Sequence, residues 1–556
     1  MQRKTYIIVS LSLAVLFVWF QVIMLNLVWD RNWVKNVSDE GPLMAPQFES
    51  SLLHQEYFAV YEEPSTAAPQ NAETKYYLIA PEKSDIYKTV ALTLKLIRQP
   101  YESFSSLDYL PPVAPESLTG LIICTGDTDG IGNIDRIFDY LEQKKEAVFA
   151  ARLDMSAGNY ELLCERLDIV ESFGEVNQEG IDFLDDVLLS GLFIDAKVDT
   201  VINEVNVGGR SRLYAVGHDD DLPASEHLPV IWRTLYNGGT IYVINSDMLE
   251  DFGHMGVLIG VLSQGKDAFI YPIVNSSAYI VSALPYYSTE NAANLLKAYS
   301  RDIIQLQRDV FWSDLISVSK AMGFDYTFFP YSGEGRDQVE PKLMEYYGKE
   351  VSYNDAEIGA YDSKVFQETF PNYVFVSELN FHLDQSQAKV VTQNDAFGYV
   401  DSDTVMMPVT TQGVTLTKSQ VFQSASLASG LGYTAHLTDF TDIFADESGV
   451  DQWTKVKRKY GDSLFEVLHR TKFLEKDTTA EAAAKMKIYL SSNPKIDVFD
   501  DRVTISGQDI GETCFILRTV NDITGYENCE LTELRFRTYM VKIRDKTAVI
   551  YMEEPK

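Results

Sequence analysis

Leu118-Thr119-Gly120-Leu121-Ile122-Ile123-Cys124 is a short and almost wholly apolar run. Such a run reads as a strand buried on both faces. Residues 133–145 follow with the apolar spacing of an amphipathic helix, and residues 147–153 are apolar again. Strand, helix and strand in that order make a βαβ unit, the element from which helix-flanked sheets are built.

The alternation extends outward in both directions. Residues 75–79 read as a strand and 87–97 as a helix. Downstream, 180–189 read as a helix, and 196–201 and 213–216 as strands. Residues 229–237 have helical spacing and run into Gly238-Gly239, a helix C-cap signal, before a strand at 240–245. The expectation for 76–267 is a mainly parallel sheet in a flavodoxin-like or glutamine-amidotransferase-like α/β domain. The amidotransferase chemistry is not expected there, because no cysteine lies on a strand-to-helix elbow. Cys124 falls in a strand and Cys164 in a helix.

A second α/β region is expected over 268–493, with helices at 308–322, 453–474 and 479–491 and strands at 326–329 and 374–376. From 494 to 556 the chain turns strand-rich, which predicts a small all-β module. Cys514 and Cys529 lie in that tail, and a disulfide between them is a candidate outside the cytoplasm.

The amino end sets the compartment. Arg3 and Lys4 precede an apolar stretch over residues 6–29, enough to span a hydrocarbon core of about 30 Å. With positive charge on the short side, residues 1–30 read as an uncleaved transmembrane signal anchor. The amino terminus then stays cytoplasmic and the bulk is extracellular, on a single-pass cell-membrane protein; a cleaved signal peptide is the alternative. Residues 31–75, with the Pro- and Ala-rich stretch from Glu63 to Asn71, read as a tether.

The chain has 556 residues, 47 Lys and Arg, 81 Asp and Glu, and a net charge of -34. Nucleic acid is a poor partner for such a chain, because its phosphates are bound by Lys and Arg. A cationic polymer fits better. Gly126-Asp127-Thr128-Asp129-Gly130-Ile131-Gly132 matches no phosphate-binding pattern and reads as a turn with a helix cap.

The second region carries a resemblance. Asp267-Ala268-Phe269-Ile270-Tyr271-Pro272-Ile273-Val274-Asn275-Ser276-Ser277 looks like the opening of the DUF2194 proteins. The likeness continues through Asp309-Val310-Phe311-Trp312-Ser313-Asp314-Leu315 and Gly323-Phe324-Asp325-Tyr326-Thr327. It returns at Phe370-Pro371-Asn372-Tyr373, at Leu431-Gly432-Tyr433-Thr434-Ala435-His436, and at Trp453. That family resembles the NodB-type polysaccharide deacetylases and occurs in bacterial exopolysaccharide clusters. The resemblance implies a partial (β/α) barrel. In active relatives a divalent metal is held by one Asp and two His, with a second Asp as base.

This chain departs from that pattern. Where the family carries an Asp-Asp pair, the chain reads Val281-Ser282-Ala283. Its histidines are His54, His218, His227, His254, His382, His436 and His469, and no two are four apart as in H-x-x-x-H. The expectation is a deacetylase-like domain without catalytic residues, metal or other cofactor, acting in glycan or partner binding. Tyr279, Tyr286, Tyr287, Phe329, Tyr331 and His436 are the candidate sugar contacts, since aromatic faces stack on sugars. The expected partners are a polysaccharide, an amino-sugar polymer in particular, and the proteins of a synthase or export complex, for which Pel-like systems are the natural comparison. The alternative is an active metal-dependent deacetylase with other ligands: His218 with Asp219 or Asp221, or His436 with Asp439 and Asp442.

Overall fold

In the computed structural model the described residues are 64–69, 73–282, 292–329, 352–355, 374–377, 380–382, 387–391, 397–399, 404–440 and 452–554. The expected anchor lies outside them. Among the described residues no helix is long and apolar enough to cross a membrane. Part of the expected tether is held down: Ser65 forms a parallel bridge to Phe104, its N–H donating to the Ser103 carbonyl at 2.7 Å.

The first sheet begins with β1 (Tyr76–Ile79), helix α1 (Asp85–Leu96), β2 (Tyr101–Phe104) and β3 (Gly120–Ile123). Helix α2 (Asp135–Glu142), β4 (Glu146–Phe149) and helix α3 (Tyr160–Arg166) follow. The sheet is completed by β5 (Ile169–Phe183), β6 (Phe193–Val207), β7 (Arg212–Gly217), β8 (Pro229–Tyr236) and β9 (Gly239–Ile244). Its order is β2-β1-β3-β4-β9-β8-β7-β5-β6. The half from β2 to β9 is parallel, and the rest pairs antiparallel.

Two expected helices are therefore strands. Residues 180–183 end β5, a fifteen-residue strand. Residues 229–236 form β8, whose turn to β9 is Asn237-Gly238 with φ of 46° and 91°. Positive φ at both centres of a two-residue loop suits the right-handed twist of a hairpin, which is why Asn-Gly is favoured there. The glycine that looks like a helix cap is a hairpin glycine. With hairpins in place of crossovers, the sheet is half parallel.

Helix α4 (Met255–Leu262) is buried at every residue. It leads to β10 (Ala268–Ile273) and β11 (Ser276–Ser282), then helix α5 (Trp312–Met322) and β12 (Tyr326–Phe329). Short strands β13 (Ser352–Asp355), β14 (Val374–Ser377), β15 (Asn380–His382), β16 (Gln387–Val391), β17 (Gly398–Tyr399), β18 (Thr404–Pro408) and β19 (Thr411–Gln412) lead to helix α6 (Lys418–Leu431) and β20 (Tyr433–Asp439). The order of this second sheet is β17-β18-β16-β15-β14-β13-β12-β11-β20-β19. Helix α7 (Gln452–Arg470), β21 (Lys476–Asp477), paired to β11, and helix α8 (Thr479–Ser491) complete it.

The tail carries β22 (Lys495–Val498), β23 (Arg502–Ser506), β24 (Cys514–Thr519), β25 (Asp522–Glu527), β26 (Cys529–Arg535), β27 (Thr538–Ile543) and β28 (Thr547–Glu553). They form two four-stranded sheets, β22-β23-β28-β25 and β10-β24-β27-β26. Strand β10, expected to open the barrel, thus belongs to the C-terminal sandwich, paired antiparallel to β24. Ile270, Phe515 and Val541 of one sheet meet Val503, Ile505 and Ile550 of the other in their own core.

The expected Cys514–Cys529 disulfide is absent, and all four cysteines are free thiols. Cys514 pairs with Lys542 and Cys529 with Ile543. Lys542 and Ile543 are consecutive on β27, so the two thiols lie on opposite faces of the sheet. Cys514 faces the large shared core and Cys529 the sandwich core.

Among the described residues the largest core extends from the first sheet to the C-terminal sandwich. It joins Leu78 and Val90 of the first sheet and its helix, Met255, Leu258 and Val261 of α4, Phe422 and Leu431 of α6, Ala435 of β20, Met486 of α8 and Ile516 of β24. Contact between α4 and α6 depends on small residues. A Cβ at Gly256 would stand 2.1 Å from the Ser426 carbonyl oxygen of α6; farther along α4, one at Gly260 would stand 2.2 Å from the carbonyl oxygen of Val187, in the segment after β5. Gly256→Ala is expected to destabilise the protein by about 1–3 kcal/mol, as overpacking does. The urea midpoint of the purified chain reads it, and an unchanged midpoint would show that the helices can separate freely.

Candidate functional site

Strands β11 and β20 lie side by side in the second sheet, in parallel register from Ser276↔Tyr433 to Ser282↔Asp439. Apart from His436 and Asp439 of β20 their residues are apolar or hydroxyl-bearing, and the described side chains are buried, as expected of strands covered on both faces. Thr434, His436 and Thr438 alternate onto one face of β20. On the same face of β11 stand Ser277 and Tyr279, each opposite its partner, Thr434 and His436.

That face is closed. His436 is 4 % exposed. Its Nδ1 lies 3.0 Å from the Thr411 Oγ1 and its Nε2 3.0 Å from the Thr438 Oγ1. Burial pushes the imidazole down to about 4. Both ring nitrogens are thus committed to hydroxyls. Tyr279 is 1 % exposed, stacked on Phe324 with centroids 4.1 Å apart, and its hydroxyl accepts from Ser277 at 3.2 Å. Beside it the Tyr326 and Tyr460 hydroxyls meet at 2.6 Å. Tyr279 and His436, expected as sugar contacts, are core groups instead, because strand alternation turns them inward under α7. Tyr286, Tyr287 and Tyr331 lie outside the described residues, as does the Phe329 side chain, although Phe329 ends β12.

The ends of the strands are where α/β sites lie. There Ser282 stands in register with Asp439, a carboxylate 5 % exposed, and Val281 is fully buried. Ala283 and Asp442 lie outside the described residues. His436 and Asp439 are three apart on one strand, so they point to opposite faces and form no pair. His382 sits on β15, with β14, β13, β12 and β11 between it and β20. The residues described at this edge do not make the set of one Asp and two His that the resemblance implies. Among the described residues no three His, Cys, Asp or Glu side chains converge as metal ligands would.

The first domain holds two further clusters. His218 follows β7, but its partners are not Asp219 and Asp221. Its Nδ1 lies 2.9 Å from Asp182 Oδ1, and its Nε2 3.2 Å from Asp220 Oδ1 and 3.9 Å from Asp195 Oδ1. Asp219 instead accepts from the Asp221 N–H at 2.9 Å. Reading 180–189 as a helix hid Asp182 from His218; the alternation of a long hairpin brings them together. The second cluster was not legible at all. At the carboxyl ends of β3 and β4, a cleft of about 370 Å³ is lined by Thr125, Gly126, Arg152, Asp154, Asp247 and Glu250 among others. Arg152 is fixed there by Glu175 at 2.5 Å and Asp247 at 3.1 Å. The Gly126–Gly132 loop is a tied turn: Asp127 Oδ1 accepts from the Asp129 N–H at 3.0 Å, and Asp129 Oδ2 from that of Gly158 at 2.8 Å.

Burial of His436 makes the protein acid-sensitive. Its folded value is below the ordinary histidine value of about 6.5, so the unfolded chain takes up the proton first. The stability it contributes is complete above about pH 6.5 and is lost as pH falls toward 4, by about 3 kcal/mol at most. Urea midpoints across that range should fall more steeply for the wild type than for His436→Leu. Parallel slopes would show that the imidazole titrates freely.

No curated protein matches the sequence. Agd3, whose crystal structure is described as that of a novel carbohydrate deacetylase, superposes with a TM-score of 0.52 at 10 % identity. The match covers 87 % of this chain and 99 % of that one, so the two share a fold. A ThuA-like protein from Bacteroides uniformis (TM-score 0.28, 9 % identity) covers 37 % of this chain and 94 % of its own. A β-galactosidase from Rahnella (TM-score 0.26, 13 % identity) covers 36 % and 34 %. The family described as an uncharacterised protein conserved in bacteria (DUF2194) matches residues 200–362 and 355–540, more than half of the sequence. The chain belongs to the DUF2194 family.

Proposed function

We propose that the protein is a membrane-anchored, extracytoplasmic component of exopolysaccharide synthesis or export, whose deacetylase-like region binds glycan or partner proteins without hydrolysing them. The observation that carries this reading is His436. It stands on β20, opposite Tyr279 of β11, yet both its nitrogens are capped by threonine hydroxyls and it is buried. A histidine in that state neither ligates a metal nor moves a proton. The fold shared with Agd3, a carbohydrate deacetylase, supports glycan as the ligand class. The net charge of -34 favours a cationic polymer such as a partly deacetylated amino sugar. Residues 1–30 supply the anchor, with the amino terminus cytoplasmic.

Asp439 favours a second reading. It is a buried carboxylate at the carboxyl end of a sheet strand, the place where α/β enzymes put their catalytic groups. Under this reading the protein is a metal-dependent hydrolase that draws its other ligands from outside the described residues.

The purified chain should be incubated with zinc, cobalt or nickel, measured for bound metal by elemental mass spectrometry, and mixed with acetylated and partly deacetylated amino-sugar polymers. The first reading expects well under one metal per chain, no acetate release, and salt-sensitive retention of the partly deacetylated polymer. One tightly held metal with acetate release that Asp439→Asn abolishes would establish the second.

A further inference from the structure

The β5–β6 hairpin carries a bulge where it approaches the second sheet. Ile181 pairs with Ala196 and Phe183 with Phe193, so Ile194 and Asp195 together stand opposite Asp182. Bulges of this kind re-aim a side chain. Asp195 takes a left-handed φ of 53°, held by its own N–H donating to Asp182 Oδ1 at 2.8 Å. The turn aims its carboxylate across the junction at helix α6, where Asp195 Oδ2 meets Lys418 Nζ. Lys197 Nζ lies 2.8 Å from Asp195 Oδ1.

His218 closes this arrangement from the end of β7. Asp182 faces its Nδ1; Asp220 and, farther off, Asp195 face its Nε2. Carboxylates only accept, so both ring nitrogens must carry protons when these contacts are made. His227 approaches from the same loop, its Nε2 3.0 Å from the Asp219 carbonyl and its Nδ1 3.8 Å from Asp182 Oδ2. Glu179 adds negative charge near Lys197. The cluster therefore gathers Asp182, Asp195, Asp220 and Glu179 around Lys197, Lys418 and the two imidazoles.

We propose that protonated His218 is the keystone of an acid-strengthened clasp, which holds the β5–β6 bulge through Asp195 against Lys418 at the start of α6. When His218 is neutral, one of its nitrogens turns a lone pair toward a carboxylate, and Asp182, Asp195 and Asp220 repel one another with less compensation. The hydrogen bond to Asp182, opposed by burial, holds His218 above its ordinary value. The clasp is complete below about pH 6.5 and loosens as pH rises through that raised value. The sign is opposite to that of His436, so the two are separable by where the change is read.

Hydrogen exchange of the full chain at about pH 5.5 and 8.5, corrected for the intrinsic rate, tests it at amides 193–197 and 419–422. In the wild type their protection should fall about two- to fivefold on going to the higher pH, the scale of a partly exposed ion-pair network. His218→Gln should be flat at the high-pH level, and Lys418→Met should lose more protection at pH 5.5 than at 8.5. If His218→Gln does not fold, Asp182→Asn removes the charge that retains the proton and should move the step to lower pH. A flat wild type, an equal slope in His218→Gln, or a step that Asp182→Asn leaves in place would each overturn the proposal.

Discussion

The close approach of α4 to α6 is the contact on which the rest of the structure depends. Gly256 lets α4 lie against the backbone of Ser426, whose Oγ accepts from the Gly256 N–H at 3.1 Å. Gly430 on the opposite helix leaves room for Met255. Helix α4 ends the first domain and α6 belongs to the second sheet, so their contact fuses two sheets into one apolar core. Burial of apolar area is the main stabilising term, and here neither sheet buries its inner face alone.

The C-terminal sandwich is fastened to the same core by polar means. Arg518 on β24 is 8 % exposed, and it donates to the Asp186 and Val187 carbonyls at 2.9 Å and to Ser263 Oγ at 3.1 Å. A buried guanidinium is tolerated only where such acceptors are in place. Strand β10 then serves the sandwich, and Asn275, at a left-handed φ of 60°, passes the chain directly into β11. The edge where Ser282 meets Asp439 is thereby placed by three modules at once.

That arrangement bears on where the second sheet can act. The interior face of β11 and β20 is filled by Tyr279, His436, Tyr326 and Tyr460, whose hydroxyls and ring nitrogens bond to one another or to threonines and serines. A network of hydrogen-bonded polar groups stabilises and specifies a core, and this one is buried away from any ligand. Any chemistry or binding is left to the strand ends and to the loops that extend from them.

Much of this was legible in the residues themselves. The apolar run at Leu121–Cys124, the helical spacing at 479–491 and the motifs around Asp267 and Gly432 each carry a local period or a local signature, so the α/β class and the family followed from sequence alone. Val281-Ser282-Ala283, where the resemblance leads one to expect an acidic pair, is likewise read at one position of the chain. Only the tertiary structure decided what depends on partners distant in the chain. Residues 229–236 have helical spacing, yet their Asn-Gly turn and the neighbouring β9 make them a strand. Strand β10 reads as the start of a barrel, but β24, some 240 residues later, claims it. Tyr279 and His436 read as exposed site groups until the pairing of β11 with β20 turned them inward. Asp182, Asp195, His218 and Lys418 became one cluster only when a bulge brought them together. Local pattern determines which element a segment can form; which strand it pairs with, and which face it buries, is set by contacts that no window along the chain contains.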